Sequence, residues 1–424
     1  MNPFNNRNSG FRFSVADLVS VALIISSFII IIGFVGNYVF EKKGVPDMLF
    51  LIILGIVVGP VLQIFNPEAV SGLAPYISAL ALSFILLDGG MRMNIREALS
   101  NSPRAVLLAV LGFTLSTLVV ALFMIVVYAT PIVYGLLFGS IYGGSSSIVV
   151  VSLAHKIKVS EKCSLTLILE SAITDILCIV VSLALISAII TGHSDFIVVG
   201  SGIAGRFLIG AVLGVVMGII WLFLLRKVRQ LPFSYMLTLA VVLLAYAISE
   251  TLGGSGALSA LLFGLIIGNE YDVFKVFKQH NPYDVCVDEG LKRFESEVAF
   301  FVRTFFFVFL GLIATISDVG FVLLGVIISM LLLLVRFGVI YVATFRSELK
   351  CERSIMSMVL TRGLAAAVLA TLPAQYGLQY APMFVNLAVV IIISTAVIAT
   401  VGTIIISRRA KISLKKSGTR IAQR

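Results

Sequence analysis

Apolar runs of about twenty residues recur from one end of this 424-residue chain to the other. A run of that length is what one helix needs to cross a bilayer. In lipid every backbone polar group must find a protein partner, which leaves packed helices or a closed barrel. Runs this long and this continuously apolar are helical in pattern. Only 12% of residues are charged and the mean hydropathy is +1.11, whereas soluble domains carry about 25% charged residues. The fold class is therefore an all-α polytopic membrane protein. Thirteen spans are predicted, near 14–40, 47–65, 73–90, 105–128, 132–154, 164–190, 196–225, 231–252, 256–270, 297–316, 319–345, 354–373 and 382–406. The first run is too long for a signal-peptide core and MNPFNNRNSGF is a poor charged leader, so no cleavable signal is expected.

The net charge of +10 raises the question of nucleic acid, and its placement answers it. Of 31 lysines and arginines, 25 fall in the loops after odd-numbered spans or in the C-terminal tail. Only Arg7 and Arg12 fall on the other side, and Arg206, Arg303, Arg336 and Arg362 lie inside spans. This asymmetry orients a membrane protein rather than binding nucleic acid. It puts the N-terminus outside and the C-terminus in the cytoplasm. Cys163, Cys178, Cys286 and Cys351 show no CxxC spacing, so neither a disulfide framework nor a zinc site is expected.

The chain echoes itself. LGIVVGP (Leu54–Pro60) in span 2 resembles FGLIIGN (Phe263–Asn269) in span 9, and FILLDGG (Phe84–Gly90) in span 3 resembles FVFLGL (Phe307–Leu312) in span 10. Each pair is seven spans apart. An odd offset inverts the second copy, the architecture of many secondary transporters. Gly143, Gly144, Ser145, Ser146 and Ser147 interrupt span 5, and Thr361, Arg362 and Gly363 interrupt span 12, again seven apart. Glycine weakens a helix by about 1 kcal/mol, and broken helices line polar sites in membranes. The predicted organisation is a single transmembrane domain with two inverted six-helix repeats. Repeat one covers about 14–190, a linker helix about 196–225 and repeat two about 231–406, followed by a short basic cytoplasmic tail at 407–424.

Ionisable groups inside such spans are functional by default, because a charge at bilayer depth costs roughly 2.5–3.5 kcal/mol or more. In span 6 only Glu170 and Asp175 are ionisable. Asp175 can hold either a proton or a cation, and that competition suffices to couple their movements. Ser171, one turn earlier, and Thr174, adjacent, offer oxygen ligands suited to hard cations. Glu170 is five residues from Asp175, about 140° around the helix, so the two acids face different ways. Glu170 is expected to pair with Arg303, with Arg362 as competitor. Asp88 ends span 3 before Gly89 and Gly90, either at a site mouth or as an interfacial partner of Arg92. Arg206 and Arg336 read as snorkelling arginines.

Other motifs carry less. Gly200–Gly205 matches GxGxxG without a βαβ context. Gly210, Gly214 and Gly218 form a helix-packing seam, with a dimer contact as one use. His155, His193 and His280 fall in loops, and the mixed-charge stretch 270–297 reads as a cytoplasmic connector. With no buried Ser–His, Asp–Asp or metal constellation, an enzyme is not expected.

These residues resemble the monovalent cation:proton antiporter family of the NhaP type, over nearly the whole chain. The stretch from Leu136 to Val180, containing YGGSSS and ESAITD, is similar to the family's fifth and sixth helices. ALSFILLDGGMRMN resembles its F-E-G-G-L segment, RTFFFVFLGL its tenth helix, and LTRGLAAAVLATLP its G-x-R-G-A motif. The resemblance implies an NhaA/NhaP-like fold and alternating access by a mobile core, with the second domain forming a homodimer. It implies that Asp175 binds the ion and the proton, that Ser171 and Asp88 align with cation-site positions, and that Glu170 and Arg303 align with a buried ion pair. Arg362 aligns with the arginine at the second break. The family's T-D-P becomes Ser145-Ser146-Ser147 and its N-D becomes Thr174-Asp175. One acid in place of two implies 1:1 electroneutral exchange. The expected activity is sodium/proton antiport with no cofactor, at a monovalent-cation site on Asp175 in the cell membrane. Lithium is a further candidate cation. Potassium/proton exchange is the alternative, since the related Kef-type group also carries a single aspartate after a polar residue. A cation channel or membrane sensor is disfavoured by the lack of a repeated pore filter. The short tail implies no appended nucleotide-binding domain.

Overall fold

The structure is a computed structural model that describes residues 15–64, 72–93, 103–146, 150, 159–192, 196–231, 233–277, 287–314 and 319–421. Ser147, Cys286 and the three histidines lie outside these residues, as does connector 278–286.

Among the described residues the regular elements are all helical. They are α1 (Val15–Lys43), α2 (Asp47–Ile56), α3 (Ala74–Arg92), α4 (Pro103–Tyr128), α5 (Ile132–Tyr142), α6 (Glu161–Thr191), α7 (Phe196–Val228) and α8 (Ser234–Thr251). There follow α9 (Gly256–Gly268), α10 (Glu270–Val276), α11 (Glu289–Ile313), α12 (Val319–Ala343), α13 (Arg353–Met358), α14 (Leu364–Gln375) and α15 (Ala381–Ile421). Local sequence sets several ends. Ser160, Ser255 and Asp288 accept the backbone N–H three residues on, capping α6, α9 and α11. Gly192, at φ 63°, closes α6 in the left-handed conformation that favours glycine.

Eight of these helices are long and apolar enough to cross a membrane. The spans expected at 47–65, 132–154, 256–270 and 354–373 fall on shorter or broken helices, and the one at 73–90 is the continuous α3, which is not among the eight, so length and apolarity alone do not reach thirteen. The outward faces are apolar: Phe34, Val126 and Leu334 are 67%, 73% and 67% exposed. Such a surface is untenable in water and natural against lipid. The connector at 270–297 is partly helical. Here α10 turns 80° from α9, and α11 begins eight residues before the expected start of span 10.

The helices divide by packing into two groups. In one, α4 packs on α5, α6 and α12, and α15 on α12 and α14. In the other, α2 and α3 pack on α11, and α9 packs on α3, α7 and α8. Glycine permits the closest approaches in the second group. A Cβ on Gly55 would lie 3.0 Å from Gly311 Cα, and one on Gly264 3.0 Å from Leu87 Cα. The seam Gly210-Gly214-Gly218 is also occupied within the chain. Cβ atoms there would stand 3.0 Å from Ser255 N, 2.9 Å from Ser259 Cα and 3.0 Å from Ile266 Cβ, all on or leading into α9. Its use is therefore intramolecular packing, which corrects the option of a dimer contact.

Candidate functional site: two helix breaks crossing beside α6

The chain loses helical form twice in the first group. α5 stops at Tyr142, and Gly143–Ser146 run on without helical form. α13 stops at Met358, and α14 starts after Gly363. The two breaks meet, because Ser146 N donates to the Thr361 carbonyl at 2.7 Å. Breaking a helix inside a membrane exposes backbone donors and acceptors that must be satisfied by protein. Side chains of α6 and α15 do this. Ser145 N donates to Thr174 Oγ1 at 3.2 Å, and Ser171 Oγ donates to the Ser145 carbonyl at 2.8 Å. Arg362 N donates to Thr395 Oγ1 at 3.1 Å. Tyr142 anchors the end of α5 by donating to the Phe384 carbonyl at 2.6 Å.

The crossing leaves no room for side chains at its glycines. A Cβ on Gly363 would sit 2.6 Å from Ser146 Cβ, and one on Gly144 would sit 3.1 Å from the Thr174 carbonyl. We expect Gly363→Ala to push the breaks apart, lowering stability by about 1–3 kcal/mol and slowing transport. Thermal melting of the purified protein checks this, and an unchanged melting temperature would show that the crossing yields freely.

α6 carries both acids into this region, in different surroundings. Glu170 is 2% exposed. Its carboxylate is paired in parallel with the Arg336 guanidinium of α12: Nη1 donates to Oε1, and Nη2 to Oε2 at 2.8 Å. Arg336 Nε also donates to the Met356 carbonyl at 3.2 Å, so one side chain ties α6 and α12 to α13. This corrects the expected Glu170–Arg303 pair. Arg303 instead donates from Nη2 to Asp47 Oδ2 at 3.2 Å, joining α11 to the start of α2. Residue type alone could not choose among Arg303, Arg336 and Arg362, three arginines inside predicted spans. Only the packing of α12 on α4, and α4 on α6, brings Arg336 within reach.

Asp175 is half-buried, one residue beyond Thr174. Its charge and that of Glu170 both act on Arg362, which is 5% exposed at the second break. Arg362 Nε has no hydrogen-bond partner among the described residues. A small cavity lined by Ser116, Glu170, Thr174, Arg336 and Arg362 opens beside the crossing. Two acids and two bases thus surround the breaks.

Asp88 takes the interfacial alternative in this structure. Both its carboxylate oxygens accept from Arg92 Nε at 3.0 Å, and Oδ1 accepts from Ser296 Oγ at 3.0 Å. Three residues were missed from sequence. Asp47 sits in the first turn of α2, where the helix dipole alone accounts for an acid, so nothing local signals a partner. Thr395 was one hydroxyl in an apolar span. Glu295, 2% exposed beside Asp88, fell outside the predicted span 10. An earlier α11 start, signalled by Asp288 as a cap before EGLKRFESE, would have drawn it in.

A family model described as the transmembrane sodium/hydrogen exchanger matches residues 24–409. The chain belongs to this family. It is thus a transporter rather than an enzyme, a multi-pass membrane protein of the monovalent cation/proton antiporters. Among exchanger relatives, the K(+)/H(+) antiporter NhaP2 of Shewanella sp. (strain MR-4) is 28% identical over 418 residues, covering 94% of this chain and 68% of that protein. The K(+)/H(+) antiporter NhaP of Alkalimonas amylolytica is 24% identical, covering 90% of this chain and 65% of the relative. A probable Na(+)/H(+) antiporter 2 of Methanocaldococcus jannaschii is 25% identical, covering 64% of each chain. The solved structure of the sodium proton antiporter MjNhaP1 from the same organism superposes with a TM-score of 0.75 at 20% identity, covering 93% of this chain and 98% of that one. That likeness establishes a shared exchanger fold.

Proposed function

We propose that this exchanger moves sodium against protons, one for one, by alternating occupancy of the Asp175 carboxylate. The observation that carries the proposal is the charge arrangement at the crossing. Arg336 clamps Glu170 in a bidentate pair that ties helices together, whereas Asp175 lies on another face of α6, half-buried beside the crossing, where its charge acts on Arg362 at the second break. A proton and a monovalent cation neutralise that carboxylate equally. The two loaded forms therefore have the same net charge, and a membrane potential does not distinguish them. Ser171, Thr174 and the backbone of the break at Ser145–Ser146 are the oxygens within the same cluster, suited to a hard cation.

The inverted-repeat reading is supported by the glycine contacts. α2 meets α11 through Gly55 and Gly311, and α3 meets α9 through Leu87 and Gly264. A seven-span offset that exchanges the two repeats maps the first of these contacts onto the second. In our reading the group holding the crossing moves and the group holding α2, α3, α9 and α11 stays fixed. The fixed group is the surface through which two copies associate in the bilayer. In the same reading the positive loops lie in the cytoplasm, with the N-terminus outside the cell membrane and the C-terminus inside.

Potassium is the second reading, favoured by the relatives at 28% identity that are named potassium/proton antiporters. Proteoliposomes holding a pH gradient decide between the two. Sodium is expected to dissipate the gradient at a rate insensitive to an imposed potential. A response to potassium without one to sodium would move the assignment to the second reading. A rate that follows the potential would contradict one-for-one exchange.

A further inference from the structure

A second polar cluster lies away from the crossing, between the two helix groups. The outer half of α6 faces α7, the α8–α9 turn and the residue after α14 across a cavity of about 40 Å³. A water needs about 10–15 Å³ measured this way, so the cavity holds two or three. Ile179, Ala184 and Ser187 line it from α6, and Arg206, Glu250 and Tyr376 supply its polar wall. Arg206 and Glu250 lie within electrostatic reach of each other. Glu250 Oε1 accepts from Gly256 N at 2.7 Å, and Ser255 N donates to the Arg206 carbonyl at 3.2 Å, so both are fixed to the α8–α9 turn.

This placement is unusual in two respects. An arginine and a glutamate inside apolar spans are expensive unless they face protein or water, and here they share one wall of a cavity. That cavity also runs along α6 toward Asp175. Ile179 is one turn from Asp175, about 6 Å along the axis, and Ser187 is about 18 Å away. The cavity lies on the side opposite the lysine- and arginine-rich loops.

We propose that this cavity is the water-filled outer entry to Asp175, and that Arg206 and Glu250 set its affinity for the external monovalent cation. The pair leaves the entry neutral as it stands. Without Arg206 the entry carries one negative charge and concentrates cations. Without Glu250 it carries one positive charge and repels them. A unit charge about 12 Å from a cation changes its occupancy by about two- to tenfold across dielectrics from water to the protein surface. Tyr376 follows the helix that begins at the second break, whereas Arg206 and Glu250 belong to the other group. Movement of one group against the other therefore changes the cavity wall.

The inference rests on the exchanger reading and its orientation, and its test separates the two. Ala184→Cys and Ser187→Cys are introduced in turn into the full chain with Cys286 and Cys351 replaced by serine. A membrane-impermeant, charged thiol reagent is applied to intact cells and to inside-out vesicles. Modification from the outside at either position is the expected result. Modification only from the cytoplasmic side, or at neither position from either side, overturns the proposal. Labelling needs no transport, so it is also read with Asp175→Asn present, where it is expected to persist. Labelling that persists while Asp175→Asn still exchanges would sink the Asp175 reading and leave the outer entry standing. In transport assays, Arg206→Gln is expected to lower the KM for external cation about two- to tenfold, and Glu250→Gln to raise it by a similar factor. Both changes appear in KM rather than in maximal rate. Glutamine at 250 keeps the oxygen that accepts from Gly256, so a folding defect does not imitate the result. Unchanged KM in both variants, or shifts in the same direction, contradicts the assigned role of the pair.

Discussion

Asp175→Asn is expected to abolish cation-driven proton movement while leaving the protein folded. Asparagine matches the shape of aspartate but carries neither a proton to exchange nor a charge to balance a cation. Two unit charges about 4 Å apart attract by about 4 kcal/mol at the effective dielectric of a partly hydrated site. Losing that attraction corresponds to a roughly thousandfold fall in occupancy. Folding is expected to survive because Asp175 is half-buried and asparagine keeps its size and an acceptor oxygen. Ser171, Thr174 and Thr395 still bond the broken backbone. Removing a charge from a membrane span also favours insertion rather than opposing it. The expected signature is thus a normal melting temperature with no exchange. A variant that melts early would place Asp175 in the frame and not at the site.

The opposite signature is expected at Glu170 and Arg336. Their side chains are 2% and 9% exposed and make two parallel hydrogen bonds. Removing one member leaves its partner buried and uncompensated, a loss of about 3–5 kcal/mol. Arg336→Met is expected to be the worse of the two, because it also frees the Met356 carbonyl at the foot of α13. Replacing both residues with apolar side chains is expected to cost much less than the sum of the single changes, since neither charge is then stranded. The Asp47–Arg303 pair is a useful control. Its members are 6% and 14% exposed with one bond at 3.2 Å, so the same cycle there is expected to give a smaller coupling. Melting of the four proteins in each cycle measures both couplings. Equal couplings would mean that Glu170–Arg336 holds no special place in the frame.

These two signatures mark what the sequence made legible. The breaks at Gly143–Ser146 and at Thr361–Gly363 were readable because glycine and hydroxyl residues interrupt runs that otherwise have no reason to stop. The separation of Glu170 from Asp175 followed from helical geometry alone. What pairs with what was not readable. Arg303 and Arg336 are both arginines in apolar helices, and only tertiary packing puts one beside Glu170 and the other beside Asp47. The roles of Ser171 and Thr174 were half legible. Their oxygens are at the break as expected, but the bonds they make hold backbone. Span lengths were blurred for a different reason. Apolar patterning shows where a chain can be buried, and it does not register that α2 widens into a five-residue π turn containing Pro60 or that α11 begins in the connector.

The account's central claim is that one carboxylate serves proton and cation in turn. Competition at a single site has a quantitative form. Below the pH at which Asp175 takes up its proton, the apparent KM for the cation should rise about tenfold for each unit fall in pH, because each unit is 1.36 kcal/mol of proton binding. The maximal rate at saturating cation should stay level over the same range. Measuring initial exchange rates in proteoliposomes over a matrix of pH and sodium or potassium concentration tests this directly. A KM that climbs with proton concentration at constant maximal rate is the predicted result. A KM that ignores pH, with protonation changing only the maximal rate, would contradict a shared site at Asp175.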